Sequence, residues 1–345
     1  MLCALNPEDL VPQDHPLRKV KALADEALKR LDGQLDAMYA EHGRPSVPPE
    51  QLLKSMLLMA LYSIRSDRMF HEQLQYNLLF KWFLDMDMDE RVFDRTVFSH
   101  NRERLLEHDV ARALFGAVVE QARERRLMSS EHFSVDGTLI ESWASKKSFR
   151  PKDDDDDDNN GWGDFRGKKR KNETHESKTD PESKLYRKGN GHEAKLSYMA
   201  HALMENRNGL LVDFDVTEAN GYAERHAAIR MLDRLPERSR RTLGADGGYD
   251  TYDFVDECRA RRVTPHVTQK QHSGIDGRTT GRPGYIVSQR VRKRIEQVFG
   301  WGKRIGGLAR SRFKGRRRTE LSALFVATAY NLLRISRLQA GAEAT

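Results

Sequence analysis

Apolar residues recur at helical spacing through the first third of the chain. In HPLRKVKALADEALKRLDGQLDAMYAEHG, Leu17, Val20, Leu23, Ala24, Leu28 and Leu31 share one face, and the pattern closes at Gly43. PSVPPEQLLKSMLLMALYSI follows, with Pro48 and Pro49 suited to a helix start. SDRMFHEQLQYNLLFKWFL begins at an N-cap type of residue, Ser66 or Asp67, and repeats the periodicity. FDRTVFSHNRERLLEH and VARALFGAVVEQARERRL continue it to about residue 128. Short helices with turns at 64–67 and 86–94 fit either a helix-turn-helix array or a plain helical bundle. Arg95, His100, Arg102 and Arg104 favour DNA contact by the helix at 95–106.

After Ser130 the period changes. EHFSVDGTLIES reads as a strand, and six aspartates run from Asp153 to Asp158. From Arg150 to Lys184 the large apolar residues are sparse, with Trp162 and Phe165 foremost. That composition predicts a disordered insertion over about 150–184. HEAKLSYMAHALME and GLLVDFDVTEA then form a strand pair around the turn NRNG. GYAERHAAIRMLDRLP predicts a helix, RTLGADGGYD a strand ending in a glycine-rich turn, TYDFVDECRARR a helix and VTPHVTQ a strand. A basic loop and two helices, at about 288–304 and 318–337, close the pattern. Three antiparallel strands followed by alternating helix and strand predict a mixed α/β sheet with the element order of a ribonuclease-H-like fold. The expected organisation is a helical N-terminal domain over 1–129 and a catalytic domain over 130–338.

Charge sharpens this outline. The chain has 345 residues, a net charge of +7 and 32% charged residues, a bias toward polyanionic partners. Twelve Lys or Arg and one acid lie between Ser288 and Arg318, more than the whole net charge. The two cysteines, Cys3 and Cys258, are far apart, which argues against a disulfide framework or structural zinc. MLLMALY at 56–62 is too short to span a bilayer, and the N-terminus has no signal-peptide pattern. A cytoplasmic protein without a membrane partner is expected.

Three acids stand where phosphoryl chemistry would use them. Asp136 interrupts an apolar strand, FSVDGTLI, and so needs hydrogen-bond donors or a cation. Asp246 ends the strand TLGAD before two glycines that let backbone approach a ligand. Each also fits a structural turn. Glu296 is the lone acid in RVRKRIEQVFGWGKR, where a carboxylate opposes the phosphate-binding character of its six basic neighbours. A bound cation reverses that conflict. Two acids at strand ends and one from a crossing helix make a hard-oxygen site suited to Mg²⁺ or Mn²⁺.

SVDGTLIESWASKKSF, ADGGYDTYDFV, IDGRTTGRPGYIVSQRVRKRIEQVFGW and ATAYNLLR together resemble transposases of bacterial insertion-sequence family five. The likeness runs from about residue 10 to 338. It implies an Asp-Asp-Glu triad on a ribonuclease-H-like fold, carried by Asp136, Asp246 and Glu296, with Mg²⁺ or Mn²⁺. It also implies the signature Tyr-x2-Arg-x3-Glu-x6-Lys, which Arg292, Glu296 and Lys303 fit while Gln289 replaces the tyrosine. Arg292, Lys303, Arg294, Arg304 and Arg102 are the expected DNA contacts. Trp301 either stacks on an unpaired base, as aromatics do in related enzymes, or packs in the core.

The resemblance implies a transposase that binds terminal inverted repeats in double-stranded DNA, cleaves at the element ends and transfers 3′-hydroxyls by a two-metal mechanism. A dimer or larger assembly on DNA follows from holding two ends. A ribonuclease-H-like nuclease without strand transfer, and a catalytically silent DNA-binding derivative, are the alternatives.

Overall fold

The computed structural model describes residues 7–38, 47–152, 170–189, 191–236 and 240–343. Helices α1 (Pro7–Leu10), α2 (Leu17–Lys29), α3 (Asp32–Asp36), α4 (Pro49–Leu61), α5 (Asp67–Tyr76), α6 (Leu78–Phe83), α7 (Thr96–Glu107) and α8 (Val110–Glu124) precede the first strand. Local chemistry sets their ends. Pro49 opens α4 at a position where no amide hydrogen is needed. The Ser66 side chain accepts from the Met69 amide at 3.3 Å and caps α5. Asn77 splits what periodicity reads as one helix, because its side chain accepts from Leu79 N at 3.0 Å and starts α6. Gly43 and its neighbours lie outside the described residues.

The sheet contains β1 (His132–Glu141), β4 (Lys184–Tyr186), β5 (Lys195–Glu205), β6 (Leu211–Glu218), β7 (Arg241–Ala245) and β8 (Val263–Val267), while β2 (Phe149–Pro151) and β3 (His175–Ser177) pair separately. β5 is antiparallel to β1, β4 and β6, and β1, β7 and β8 run parallel. The path β6-β5-β1-β7-β8 is the ribonuclease-H-like order anticipated from the sequence. Helices α9 (Ala223–Asp233) and α10 (Tyr252–Ala260) cover one face. Next come α11 (Gly277–Thr280), α12 (Pro283–Val291), α13 (Ile295–Arg304) and α14 (Arg316–Glu343). A 3₁₀ turn, Arg292–Arg294, joins α12 to α13.

α14 organises the other face. Residues 323–329 are buried without a break, so this helix is apolar around its circumference and needs neighbours on every side. It finds them in α2, α4 and α8 on one flank and β6 on the other. One hydrophobic cluster therefore joins Leu23, Leu57 and Phe115 of the N-terminal helices to Tyr198, Phe214, Phe299 and Leu332. The N-terminal helices form a bundle sharing its core with the sheet. Asn331 of α14 locks this contact, accepting from Leu211 N at 2.9 Å and donating to Leu211 O at 2.8 Å.

The outer edge of β6 is closed by charge. Phe214 N and Val216 N donate to the carboxylates of Asp213 and Asp215 at 2.7 and 2.9 Å. The Phe214 and Val216 carbonyls accept from Arg112 and Arg316. The aspartates are paired in turn with Arg230 of α9 and with Arg234 just past its end.

The sequence predicts disorder over about 150–184, and the structure corrects this for the second half. Residues 153–169 lie outside the described residues, but β3 pairs with β2, and Ser177, Asp180 and Ser183 are buried. The segment needs few apolar residues because Asp180 supplies polar anchorage. Its carboxylate accepts from Tyr198 Oη at 2.6 Å, Ser142 Oγ at 3.0 Å and Gly315 N at 3.1 Å. Asp180→Ala would strand three donors in the interior, and we expect a loss of about 2–4 kcal/mol in denaturant-induced unfolding. An unchanged midpoint would show that the anchorage is dispensable.

Candidate active site

β1 and β7 are in parallel register, with Phe133 beside Leu243 and Ser134 beside Gly244. Two residues further on, alternation along the strand returns Asp136 to the face of Ser134, and Asp246, just past the end of β7, is close enough for its charge to act on Asp136. That face lies under α12: a Cβ on Gly244 would meet Ser288 Oγ at 2.9 Å and the Arg292 Cβ at 3.3 Å. The glycine thus allows the basic helix to approach the strand ends. Asp246 Oδ1 accepts from Gly248 N at 2.7 Å, and Asp136 Oδ1 from Gly137 N at 2.8 Å. The turn expected at Asp246 is present, whereas Asp136 and Gly137 lie inside β1, opposite Ala202 and His201 of β5, which corrects the expectation of a strand end at Asp136.

Gln289, at the position of the signature tyrosine, has a specific task. Its Oε1 accepts from Thr268 Oγ1 at 2.8 Å and Arg292 Nε at 2.9 Å, while its Nε2 donates to the His266 carbonyl. One amide ties α12 to the strand ends and fixes Arg292, which also receives Thr268 Oγ1 as an acceptor at 3.2 Å. The Arg292 charge acts on Asp136. Glu296 stands one turn beyond Arg292 on α13. It is exposed and, among the described residues, makes no hydrogen bond or ion pair. Lys303 is half-buried, and burial together with the charge of Lys188 holds its ammonium below the ordinary lysine range.

The other expected DNA contacts divide. Arg304 is exposed and, among the described residues, has no ion-pair partner, while Arg294 is exposed and donates to the carbonyls of Asn206 and Arg207. Arg102 is a correction. It is turned inward, pairing with Asp67 at 2.8 Å with its guanidinium 4.4 Å from the Phe313 ring centroid. Its side chain is only 12% exposed, because Asp67 gathers Arg102 and Arg312 around that ring. Trp301 is half-buried against the core, its ring 5.8 Å from that of Tyr330. Phe299 is buried, and Trp143 is 52% exposed.

Two residues that periodicity passes over join the aspartates. Glu224, in the first turn of α9, reaches the pair from the opposite face through the space left by Gly137, whose Cβ would lie 2.6 Å from Glu224 Oε1. Tyr249, just after Asp246, is fully buried with an unpaired hydroxyl. An acid in a helix's first turn reads as ordinary dipole complementarity, so the sequence alone gave Glu224 no distinction. Lys188, exposed between β4 and β5, adds positive charge that acts on both Asp136 and Glu224.

Burial raises Asp136 to about 6, opposed by its Gly137 hydrogen bond and Lys188 and assisted by Asp246. Burial likewise lifts Glu224 to about 7, with Asp136 and Asp246 adding repulsion. Three neighbouring carboxylates and an orphaned hydroxyl suit a hard divalent cation. Among the described residues, no three His, Cys, Asp or Glu side chains stand in the tight array of a finished cage. The carboxylates share a neighbourhood, and their mutual repulsion opposes closer approach without a cation.

A ribonuclease-H-like sheet that brings two aspartates close enough for their charges to interact, under a basic helix, is a framework for chemistry on nucleic-acid phosphodiesters. The chain belongs to the family described as Transposase DDE domain, which matches residues 130–332, and a second family description, Transposase domain (DUF772), matches residues 5–104. It is thus a DNA transposase, an enzyme. Among solved structures, the piggyBac transposase synaptic complex with hairpin DNA is 10% identical, with 94% of this chain and 76% of that chain covered and a TM-score of 0.45. The pre-cleavage Mos1 transpososome is 11% identical, with 89% and 82% covered and a TM-score of 0.21. At such scores these likenesses add nothing to the family assignment. Among the described residues, no helix is long and apolar enough to cross a membrane.

The raised carboxyls give a pH dependence of definite sign. Folding favours their protonated forms, so the stabilisation is complete below their ordinary values, 3.8 and 4.5, and disappears as pH rises through about 6 and 7. In chelator, the melting temperature should fall between pH values of about 5 and 8, and Glu224→Gln should flatten that fall. Parallel profiles for the two proteins would contradict the assigned electrostatics.

Proposed function

We propose that Asp136, Asp246 and Glu296 are the catalytic triad and hold Mg²⁺ or Mn²⁺ while the enzyme cleaves element ends and joins their 3′-hydroxyls to target DNA. The observation supporting this reading is that the charges of Asp246 and Arg292 both act on the buried Asp136, and Glu296 follows one helical turn after Arg292. Bound divalent ions supply activation of the attacking oxygen and neutralisation of charge at the phosphodiester. The chain's own groups then orient the DNA. Arg292, held by Gln289, and Lys303 meet phosphates beside the scissile bond, and Arg294 and Arg304 extend the basic surface. The substrate is double-stranded DNA bearing terminal inverted repeats, and two copies or more hold the paired ends. Residues 1–129 support end recognition, and 130–338 contain the chemistry. The basic face argues for a cytoplasmic protein acting on the chromosome.

Glu296→Gln tests the triad, since it preserves volume and removes charge. End binding should persist while Mg²⁺-dependent cleavage falls on the order of 10²-fold or more. Glu141→Gln is the control, because Glu141 pairs with Lys195 at 3.1 Å, away from the aspartates. Robust cleavage by Glu296→Gln would remove that residue from the triad. Arg304→Ala should leave cleavage chemistry intact but reduce the slope of log affinity against log salt by about 1. An unchanged slope would take Arg304 out of the interface.

A further inference from the structure

Glu224 has a chemical problem that the proposed triad leaves unsolved. Its carboxylate is largely withdrawn from water beside Asp136 and Asp246, yet among the described residues it has no hydrogen-bond or ion-pair partner. Lys188 and Arg225 act on it only through space. An acid so placed is costly unless something positive comes to it. The backbone makes room for it: with any side chain at position 137 the Glu224 carboxyl would be displaced, since a Cβ there falls 2.6 Å from Oε1 and 2.9 Å from Cγ.

Tyr249 points independently to a ligand at the same place. Its side chain is 0% exposed and its hydroxyl has no partner, although Glu224, Asp136 and Asp246 are the charges that act on it most. A buried hydroxyl left unpaired costs free energy, and a hydroxyl near three acids but bonded to none leaves space for a small polar occupant. A hydrated divalent ion has the charge for the carboxylates and the water for the hydroxyl.

We propose that Glu224 is a fourth carboxylate of the divalent-cation site, reaching it through the Gly137 gap from the face opposite Glu296, and that Tyr249 orients water in the ion's shell. The inference rests on the cation-site reading of Asp136 and Asp246. Asp136 and Asp246 thereby receive carboxylates from both sides of the sheet, so the site has enough oxygen donors before DNA arrives.

The test is Mn²⁺ binding to the full chain without DNA, followed by the electron paramagnetic resonance signal of free Mn²⁺. Glu224→Gln should weaken binding about 10–100-fold, and Tyr249→Phe by up to about 10-fold. Gly137→Ala provides a second route, because it displaces the flexible Glu224 carboxyl while leaving that residue in the chain, and it should weaken Mn²⁺ binding in the same direction. Circular dichroism in chelator identifies which variants are folded. Wild-type affinity in folded Glu224→Gln or Gly137→Ala, with Asp136→Asn defective, overturns the role of Glu224 alone. Wild-type affinity in Asp136→Asn as well overturns the cation-site reading itself.

Discussion

The burial of α14 is the constraint on which the rest of the structure depends. A helix apolar on all sides is stable only when enclosed, and here the enclosure is built from two sources, the N-terminal helices and the sheet. Their shared core fixes how the helical bundle stands relative to the strands. It also holds α13, whose Ile295, Val298 and Phe299 belong to the same cluster. The helix carrying Glu296 and Lys303 is therefore placed by hydrophobic packing, which leaves its polar face free for chemistry.

The site itself is governed by close approach. Gly244 admits α12 to the strand ends, and Gly137 admits Glu224 from the other side. Gln289 then fixes the angle of Arg292 through a side-chain amide that both accepts and donates. The result is an electrostatic arrangement that is unfavourable in isolation: carboxylates desolvated together, with cations nearby but unpaired to them. Such frustration is tolerable because the surrounding core is large, and the proposed ion would relieve it.

Much of this was legible in the sequence. Strand-like runs and the turn NRNG located β1, β5 and β6, and the acid before two glycines marked the end of β7, where Asp246 stands. The fold followed from element order. What escaped were properties that need three-dimensional proximity. Asn77 breaks a helix that periodicity joins, since its side-chain cap outcompetes continuation, while the break at Leu31 has no such cap. The polar run after β3 looked unable to pack because composition counts apolar residues, whereas Asp180 anchors it by hydrogen bonds. Arg102 read as a DNA contact, because nothing in sequence reveals that Asp67 and Phe313 await it. Glu224 was invisible for a similar reason: the acids whose charges act on it come from β1 and the end of β7.

The charged closure of β6 bears on how copies of the enzyme associate. An edge strand with free amides and carbonyls is a template for another chain, and many assemblies grow by extending a sheet across such an edge. Here Asp213 and Asp215 already occupy the outward amides of Phe214 and Val216, and Arg112 and Arg316 the carbonyls. An incoming strand would have to displace two aspartates and two arginines from the backbone, each of them held in addition by an ion pair of its own. Continuous sheets between protomers are thereby disfavoured along this edge, and any contact between copies is left to helices, loops or bound DNA.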